Sequence, residues 1–398
     1  MANFEEAYEK AIKDKILPGY ALIAGDKNGN ILYSGAKGVR SLVEDSAGPF
    51  QLDTICAIAS MTKIMTSVAA LQCVEDGLIT LDEDVSSHLP SIGKYGIMTG
   101  FDDDKNEVIT VPNATPITLR MLLSHTNGHE SDWFNPMLMK WRASRGETSF
   151  CGPTVEEKST LPLLYEPGTS FRYGAGSDWA GKLIEKVSGK TLDTFMNERI
   201  WTPLGIKDMT FYPKRRADMT DRTARFSTLK EDGSGPATDM GGFDVTFGAT
   251  DCLGGAGAFA SASAFVTFLQ AVLRRDEQLL NEASWAELFR PQLDERCKRA
   301  FNDYIKSSPL HEQYLGMCLP TNIEKQWSFA GMLVEQGQEG RMNEGTICWG
   351  GVPSMTWYID AKAGICGVAF AQILPPMSPS ILKLHEGFQR AMFGKAGA

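Results

Sequence analysis

The stretch Ala57–Lys63, AIASMTK, places a serine hydroxyl three residues before a lysine amine. If a helix begins at or just before Ser60, then Ser60 and Lys63 lie on one face of its first turn, where Oγ and Nζ can meet. The backbone N–H groups of a first turn have no partner inside the helix, and they favour a developing negative charge. The stretch therefore predicts a serine nucleophile next to a base.

Context decides whether this motif is meaningful, because Ser-x-x-Lys is a short and common pattern. It occurs five times in this chain, at Ser34, Ser60, Ser91, Ser227 and Ser380. Only Ser60 follows a run of small apolar residues and opens a long amphipathic pattern, which predicts a helix to about Asp76. The expected apolar stripe of this helix is Ile64, Val68, Leu71 and Val74. The alternative interpretation is a capping serine with a solvated lysine. Cys56 is a second nucleophile candidate, but it is more typical of a buried structural thiol.

Composition and charge limit the classes of protein to consider. The chain has 398 residues, of which 43% are apolar and 22% charged, so one large domain or two are expected. A net charge of −10 without a basic block argues against nucleic acid and membrane surfaces as partners. No run of about 18 apolar residues predicts a transmembrane helix, and no export signal is visible. Eight cysteines without metal-site spacing indicate free thiols in the cytoplasm, and the oligomeric state is open, with a monomer as the simplest case.

Periodicity predicts helices and antiparallel strands at both ends of the chain, and helical pieces with polar loops in the middle. The expected helices cover residues 3–15, 60–76, 118–128, 177–187, 192–200 and 380–392 and begin again near 263, and the expected strands cover residues 20–25, 31–36, 355–360 and 365–373. This layout predicts an α/β (α+β) fold, in which both chain ends form one central antiparallel sheet flanked by helices.

The same layout predicts two domains. Residues 1–85 and 191–398 are expected to form the α/β domain, and residues 86–190 a helical domain, with the active site in the cleft between them. Residues 213–250 are polar and glycine-rich without clear periodicity, and they are a candidate lid.

Two further segments supply groups that an activated serine needs. Tyr173 lies in a glycine-rich turn, from which its phenol can project and give a leaving alkoxide a proton. Trp349-Gly350-Gly351 precedes the strand from Met355, and its glycines let the main chain approach a ligand closely. Val352 has a backbone N–H that can complete an oxyanion hole, whereas Pro353 has none. A packed core tyrosine and a packed core tryptophan are the alternative interpretations.

Other local motifs are interpreted as structural. His125 and His129 are four residues apart, but Gly128 separates them and no third metal ligand is evident. Residues 102–106 lack the glycine and the final acid of a calcium loop, so a solvated acidic turn is expected. Residues 254–260 match a dinucleotide motif poorly, and we expect their glycines to allow close backbone packing instead. Three aromatic residues are expected either to line a cleft or to pack in the core: Trp133, Phe134 and Trp141.

Five segments together resemble the serine enzymes related to class C β-lactamases, including the family VIII carboxylesterases: residues 60–63, 117–126, 173–175, 254–261 and 349–351. The resemblance covers nearly the whole chain and implies a β-lactamase/transpeptidase-like fold. It implies an acyl-enzyme on Ser60, with Lys63 as base, Tyr173 as proton shuttle and the N–H groups of Ser60 and Val352 as oxyanion hole. It also implies that no metal or organic cofactor takes part. The residues expected to contact the substrate are Met61, Trp349, Gly350 and Gly351.

Two departures from the family pattern favour neutral esters. The β-lactamases of the family carry Lys-Thr-Gly where this chain has Trp349-Gly350-Gly351, so an indole replaces a cation that helps to bind a substrate carboxylate. Their Tyr-x-Asn becomes Tyr173-Gly174-Ala175, which removes an amide that contacts the amide of a β-lactam.

Residues 70–73, 178–183 and 203–206 are similar to the fungal enzymes of this family that act on the side chain of lovastatin. This similarity predicts a bulky apolar ester as the substrate, the methylbutyryl ester of lovastatin. Trp349-Gly350-Gly351, as in the hydrolytic family VIII esterases, favours a serine carboxylesterase that hydrolyses this ester to give monacolin J. One alternative is an acyltransferase that acylates a polyketide alcohol through the same acyl-enzyme. Further alternatives are a β-lactamase or D-alanyl peptidase, and an inactive member that serves as a binding protein.

Overall fold

The computed structural model describes residues 4–44 and 47–397, which form both helices and strands. The helices are α1 (Phe4–Lys13), α2 (Lys63–Glu75), α3 (Leu119–Ser124), α4 (Pro136–Ser144), α5 (Val155–Ser159), α6 (Gly176–Ser188), α7 (Leu192–Met196), α8 (Ala217–Thr220), α9 (Ala262–Arg274), α10 (Glu282–Phe289), α11 (Glu295–Lys306), α12 (Pro309–Leu315) and α13 (Pro379–Lys395). The strands are β1 (Gly19–Asp26), β2 (Ile31–Gly38), β3 (Ile55–Ala57), β4 (Ile97–Asp102), β5 (Glu107–Val111), β6 (Met209–Thr210), β7 (Ser227–Thr228), β8 (Thr238–Asp239), β9 (Phe259–Ser261), β10 (Lys325–Trp327), β11 (Met332–Val334), β12 (Ile347–Gly351), β13 (Met355–Asp360), β14 (Ile365–Phe370) and β15 (Ile373–Leu374).

A seven-stranded sheet joins the two ends of the chain, in the order β10-β11-β12-β13-β14-β1-β2. Every neighbouring pair is antiparallel, and the link between the two ends is β1 against β14, with Ala21 opposite Phe370. β1 and β14 are buried along almost their whole length because helices cover both faces of the sheet. The prediction of one antiparallel sheet from both chain ends is confirmed.

Alternation along β1 sends its side chains to two separate cores. Ala21 and Ile23 belong to the large core that contains α9 and α2, whereas Leu22 belongs to a smaller core with Tyr8 of α1 and Phe388 of α13. The helices at the two chain ends therefore cover one face of the sheet. The opposite face packs on α9 and faces the large core that also contains α2.

Helix α2 differs from its sequence prediction. A helix with one apolar stripe was expected, but every residue from Lys63 to Cys73 is buried. The helix packs against α6, α7 and α10 within the large core, so it has no solvent face over these turns. Its two alanines, its serine and its threonine are small enough for such close helix packing, which explains why these turns are enclosed on all sides.

Two further elements correct the sequence interpretation. Residues 86–190 were expected to be helical, but β4 and β5 form an antiparallel hairpin there. The acidic residues 102–106 form its turn, in which Asp102 accepts hydrogen bonds from the N–H groups of Asp104 and Lys105 at 3.1 Å. Trp349-Gly350-Gly351 was expected to lead into a strand, but it is the end of β12 itself, paired with β13. The division into domains 1–85 with 191–398 and 86–190 stays a prediction.

Crossing a membrane requires a helix of about 20 mostly apolar residues. Among residues 4–44 and 47–397, no helix has the length and apolar character that crossing a membrane requires.

His385 of α13 contacts both α1 and the turn before β13. Its buried position leads us to expect that the stability of the protein depends on pH. Its Nδ1 lies 2.6 Å from the hydroxyl of Tyr8, and its Nε2 lies 2.7 Å from the carbonyl oxygen of Ser354. Burial lowers the pKa of His385 from 6.5 to about 4, so the folded protein holds a neutral imidazole. The unfolded chain binds the proton more readily, and stability is therefore lost as pH falls from 6.5 towards 4, by on the order of 3 kcal/mol for this group.

Urea unfolding between pH 7 and 4.5 measures this effect. We expect His385→Gln to lose less of its free energy of unfolding over this range than the wild type does, although it is less stable at pH 7. His88→Gln, at a half-buried histidine, is the matched control and should keep the wild-type slope. The same pH dependence in His385→Gln and the wild type would contradict the assignment.

Candidate functional site

Ser60 and Lys63 lie in a tight turn between β3 and α2. Residues Ala59–Thr62 form a 3-10 turn, and α2 begins at Lys63. Side chains three residues apart eclipse one another in a 3-10 turn, and Lys63 Nζ lies 3.3 Å from Ser60 Oγ. Lys63 Nζ also donates to the carbonyl oxygen of Gly255 at 2.7 Å. The expected meeting of the two side chains is confirmed, on a 3-10 turn instead of the first turn of an α-helix.

The backbone before Ser60 is strained and firmly held. Ala59 has a φ of +44°, in the left-handed region that alanine rarely adopts. Thr62 stabilises this turn, because its Oγ1 donates to the carbonyl of Ala59 at 2.7 Å and accepts the N–H of Ala258 at 3.2 Å. Strain of this kind is typical of functional sites, where the surrounding structure enforces it.

The glycines of β12 let this strand approach the serine turn. A Cβ on Gly351 would lie 2.4 Å from the carbonyl oxygen of Ile58, and a Cβ on Gly350 would lie 2.5 Å from that of Met355. Neither contact is sterically possible, so only glycine fits at these positions. The next residue, Val352, lines the same cavity as Ser60. Its assignment to an oxyanion hole with the N–H of Ser60 stays a prediction.

Tyr173 lies at the turn before α6, beside Lys63 and Trp349. Its ring centroid is 4.7 Å from Lys63 Nζ, and its hydroxyl oxygen accepts a hydrogen bond from Trp349 Nε1 at 3.2 Å. The N–H of Ser131 donates to the Tyr173 carbonyl at 3.1 Å and holds the turn in place. Because an indole N–H can only donate, the phenol acts as acceptor there and its own hydrogen is free for another partner.

The two histidines predicted to be structural are buried. His125 packs its ring 4.7 Å from that of Tyr173, and burial, reinforced by the charge of Lys63, holds its pKa well below the usual value. His129 contacts Asn127 Nδ2 through Nδ1 at 3.1 Å, and burial lowers its pKa to about 4. Both rings are therefore neutral near pH 7. In the described part of the chain, no three His, Cys, Asp or Glu side chains gather as metal ligands would.

The serine, the lysine and the tyrosine line one cavity of about 500 Å³. Most of its wall is apolar or aromatic, and the aromatic residues include Trp133, Phe134, Phe150, Phe243, Phe247, Tyr314 and Trp349. Trp349, Gly350 and Gly351 line it as expected of substrate contacts, whereas Met61 is fully buried in the core and does not. Trp141 lies outside the cavity and packs on Tyr95.

Part of the candidate lid forms a wall of this cavity. Phe247 stacks on Phe150, with ring centroids 4.9 Å apart and an interplanar angle of 21°. The buried Lys158 fastens the two segments together, because its Nζ donates to the carbonyl oxygens of Phe150 and Phe247 at 2.7 and 2.8 Å. Sequence reasoning did not identify these three residues. The signal available in the sequence was two phenylalanines and a valine at alternate positions in a polar segment, Phe243, Val245 and Phe247.

The sequence and the fold are both similar to those of known proteins. The sequence matches the beta-lactamase family over residues 4–389. It is 35% identical to the lovastatin esterase of Penicillium rubens, over 99% of this chain and 98% of that protein. It is 34% identical to the monacolin J acid methylbutanoyltransferase of Aspergillus terreus, over 98% of this chain and 95% of that protein. A solved structure of a simvastatin synthase mutant from Aspergillus terreus superposes with a TM-score of 0.89 at 33% identity, over 99% of this chain and 94% of that one.

Proposed function

This chain belongs to the beta-lactamase family, and from that premise we propose that it is a serine esterase that forms an acyl-enzyme on Ser60 and hydrolyses a bulky apolar ester. The substrate we propose is the methylbutyryl ester of lovastatin, with monacolin J as the product. The observation that carries the proposal is the contact of Ser60 Oγ with Lys63 Nζ, at 3.3 Å, in the wall of a large aromatic cavity. The names of relatives that match almost the whole chain support the choice of ester.

In the proposed acylation, Ser60 Oγ attacks the ester carbonyl carbon and its proton passes to Lys63 Nζ. The carbonyl oxygen becomes an oxyanion, which the N–H groups of Ser60 and Val352 stabilise. The C–O bond to the alcohol then breaks, and the leaving oxygen receives a proton through Tyr173. The hydrogen bond from Trp349 to the Tyr173 oxygen supports this role, because it leaves the phenolic hydrogen free to face the cavity.

In the proposed deacylation, a second nucleophile takes the place of the alcohol. Its oxygen gives a proton back through Tyr173 and Lys63, the bond from Ser60 Oγ to the acyl carbon breaks, and Ser60 recovers its hydrogen. Water as nucleophile gives hydrolysis, and an alcohol gives acyl transfer. Acyl transfer is the second candidate function, because one relative is a methylbutanoyltransferase.

The position of Trp349 argues for neutral esters over β-lactams. Its indole donates to Tyr173 and fills the site where the β-lactamases of the family place a lysine. Besides Lys63, the cavity wall contains Lys158, which donates both of its hydrogen bonds to backbone carbonyl oxygens. We therefore expect slow turnover of nitrocefin, and efficient turnover would favour a β-lactamase.

The setting of the enzyme is also proposed. The eight cysteines are free thiols, as is typical of proteins from a reducing compartment, and this supports a cytoplasmic location.

The cavity is lined by residues of both proposed domains, with Ser131 and Tyr173 from residues 86–190 and Ser60 and Phe247 from the rest of the chain.

Product partition tests the proposed reaction. Lovastatin alone should yield monacolin J and free methylbutyrate. Monacolin J with a methylbutyryl thioester should yield mainly free methylbutyrate and little lovastatin, as measured by liquid chromatography. Phe247→Ala, which opens the aromatic wall, is a matched variant and should raise the KM for lovastatin more than for a small acetate ester. Net synthesis of lovastatin with negligible hydrolysis would identify an acyltransferase instead.

A further inference from the structure

Asp178 lies five residues after Tyr173 in the cavity wall, and the reaction described above does not use it. It is in the first turn of α6, where a carboxylate is favourable to the helix dipole. Its side chain also reaches across to another segment, because Oδ1 accepts the N–H of Gly255 at 2.7 Å. Charge-assisted bonds of this length are among the stronger hydrogen bonds in proteins.

Gly255 connects this carboxylate to the proposed base. The carbonyl of Gly255 accepts the bond from Lys63 Nζ at 2.7 Å, shorter than the 3.3 Å from that nitrogen to Ser60 Oγ. Asp178 therefore holds the N–H of Gly255, and the carbonyl of Gly255 holds Lys63 Nζ. Thr66 holds the other end of the peptide unit that Asp178 holds, since its Oγ1 donates to the carbonyl of Gly254 at 2.6 Å and that carbonyl is bonded to the Gly255 nitrogen.

The glycines of this segment are required by these contacts. A Cβ on Gly255 would lie 3.0 Å from Asp178 Oδ1, tighter than an ordinary van der Waals contact. A Cβ on Gly254 would lie 2.5 Å from the carbonyl oxygen of Ser177. The residues that sequence reasoning assigned to close backbone packing therefore bring the loop against α6 and within reach of Asp178.

The cations around the carboxylate come from two helices. Burial raises the pKa of Asp178, and the charges of Lys63 on α2 and Lys158 on α5 oppose that shift. Lys158 already fastens Phe150 and Phe247. Lys63 is the one of the two that contacts Ser60.

We infer that Asp178 is a positioning residue for the reaction: it fixes Gly255 at its N–H, and the carbonyl of Gly255, in the next peptide unit, holds the Lys63 amine against Ser60. This role rests on the proposed function, because it requires Ser60 as nucleophile and Lys63 as base. A base displaced by about 1 Å can cost on the order of 100-fold in rate, so a contact that never touches the substrate can control the reaction.

The test measures the reactivity of Ser60 directly with a fluorophosphonate probe. In this reaction the bond from Ser60 Oγ to phosphorus forms, the P–F bond breaks, fluoride leaves and the serine proton passes to Lys63. Intact mass and peptide mapping give the second-order rate constant for labelling of Ser60. Steady-state hydrolysis of a chromogenic ester gives kcat and KM for the same variants.

Three variants separate positioning from a general effect on stability. Asp178→Ala removes the acceptor and should lower both the labelling rate and kcat by about 10- to 100-fold, with KM nearly unchanged. Asp178→Asn keeps an oxygen acceptor of the same reach and should restore both values to within about 3-fold of the wild type. The control is Asp251→Ala. Asp251 lies on the same loop as Gly255, and its carboxylate pairs with Lys182 of α6. Ser60 of this variant should be labelled at the wild-type rate.

Several outcomes would overturn the role of Asp178. Wild-type labelling in Asp178→Ala would do so, and so would a loss in Asp178→Asn as large as that in Asp178→Ala. If Asp178→Ala does not fold, Thr66→Val decides the question: it loosens the same peptide, and a wild-type labelling rate in it would overturn the inference. Normal labelling of Ser60 without hydrolysis of lovastatin counts against the proposed substrate alone. An unlabelled Ser60 in the wild type overturns both.

Discussion

Ser60→Ala is expected to lower kcat/KM for ester hydrolysis by at least about 10⁴-fold, because it removes the oxygen that carries the acyl group in the proposed mechanism. The wild type should gain the mass of one acyl group on Ser60 after brief exposure to a chromogenic ester, and the variant should gain none. The fold should be unaffected, since a methyl group fits where the partly exposed hydroxyl lay. Rapid quenching and intact-mass measurement provide the check.

The chain offers its own control for this experiment. Ser34→Ala changes another Ser-x-x-Lys serine, exposed on β2, and should leave activity at the wild-type level. Activity retained in Ser60→Ala would contradict the assignment of Ser60 as the nucleophile and the proposal that the protein is a serine esterase. Cys56 would not explain such activity, because it is fully buried and burial raises the pKa of its thiol.

The second large effect is expected from Lys63→Ala and Tyr173→Phe. Each should lower kcat by about 10²- to 10⁴-fold, the usual contribution of a general acid or base. Because Lys63 Nζ lies 4.7 Å from the Tyr173 ring centroid and both serve one proton path, the double variant should be much less impaired than the product of the two single effects predicts. A double-mutant cycle on kcat measures this coupling.

Trp349→Phe completes this set, because it removes the N–H that bonds to the Tyr173 oxygen and keeps an aromatic ring in the wall. Its loss should be smaller than that of Tyr173→Phe, since the phenol itself remains. Strictly additive losses in the double variant of Lys63 and Tyr173 would contradict a shared proton path and would require a separate role for each residue.

The order of local patterns along the chain was enough to predict much of the fold. Alternating apolar residues at both ends identified β1, β2, β13 and β14, and the prediction that they form one antiparallel sheet is confirmed. A match at residues 60–63, together with residues 173 and 349–351, identified the family and a cluster that lies around one cavity. Such motifs are readable from sequence because each depends on residues close together in the chain, on glycine at tight contacts and on chemistry that few side chains can supply.

The tertiary structure alone decided the surroundings of these residues. The short strands β10 and β11 have three residues each, too few for periodicity to be recognised. The complete burial of α2, the bond from Lys158 to Phe150 and Phe247, and the bond from Asp178 to Gly255 each join segments far apart in sequence. Sequence patterns report which face of an element is apolar, but the partner of that face is chosen by packing and by the need to satisfy buried polar groups. Ser60 and Lys63 could therefore be proposed as nucleophile and base from one short stretch, whereas the bond from Lys63 to Gly255 and the aromatic wall of the cavity could not be predicted.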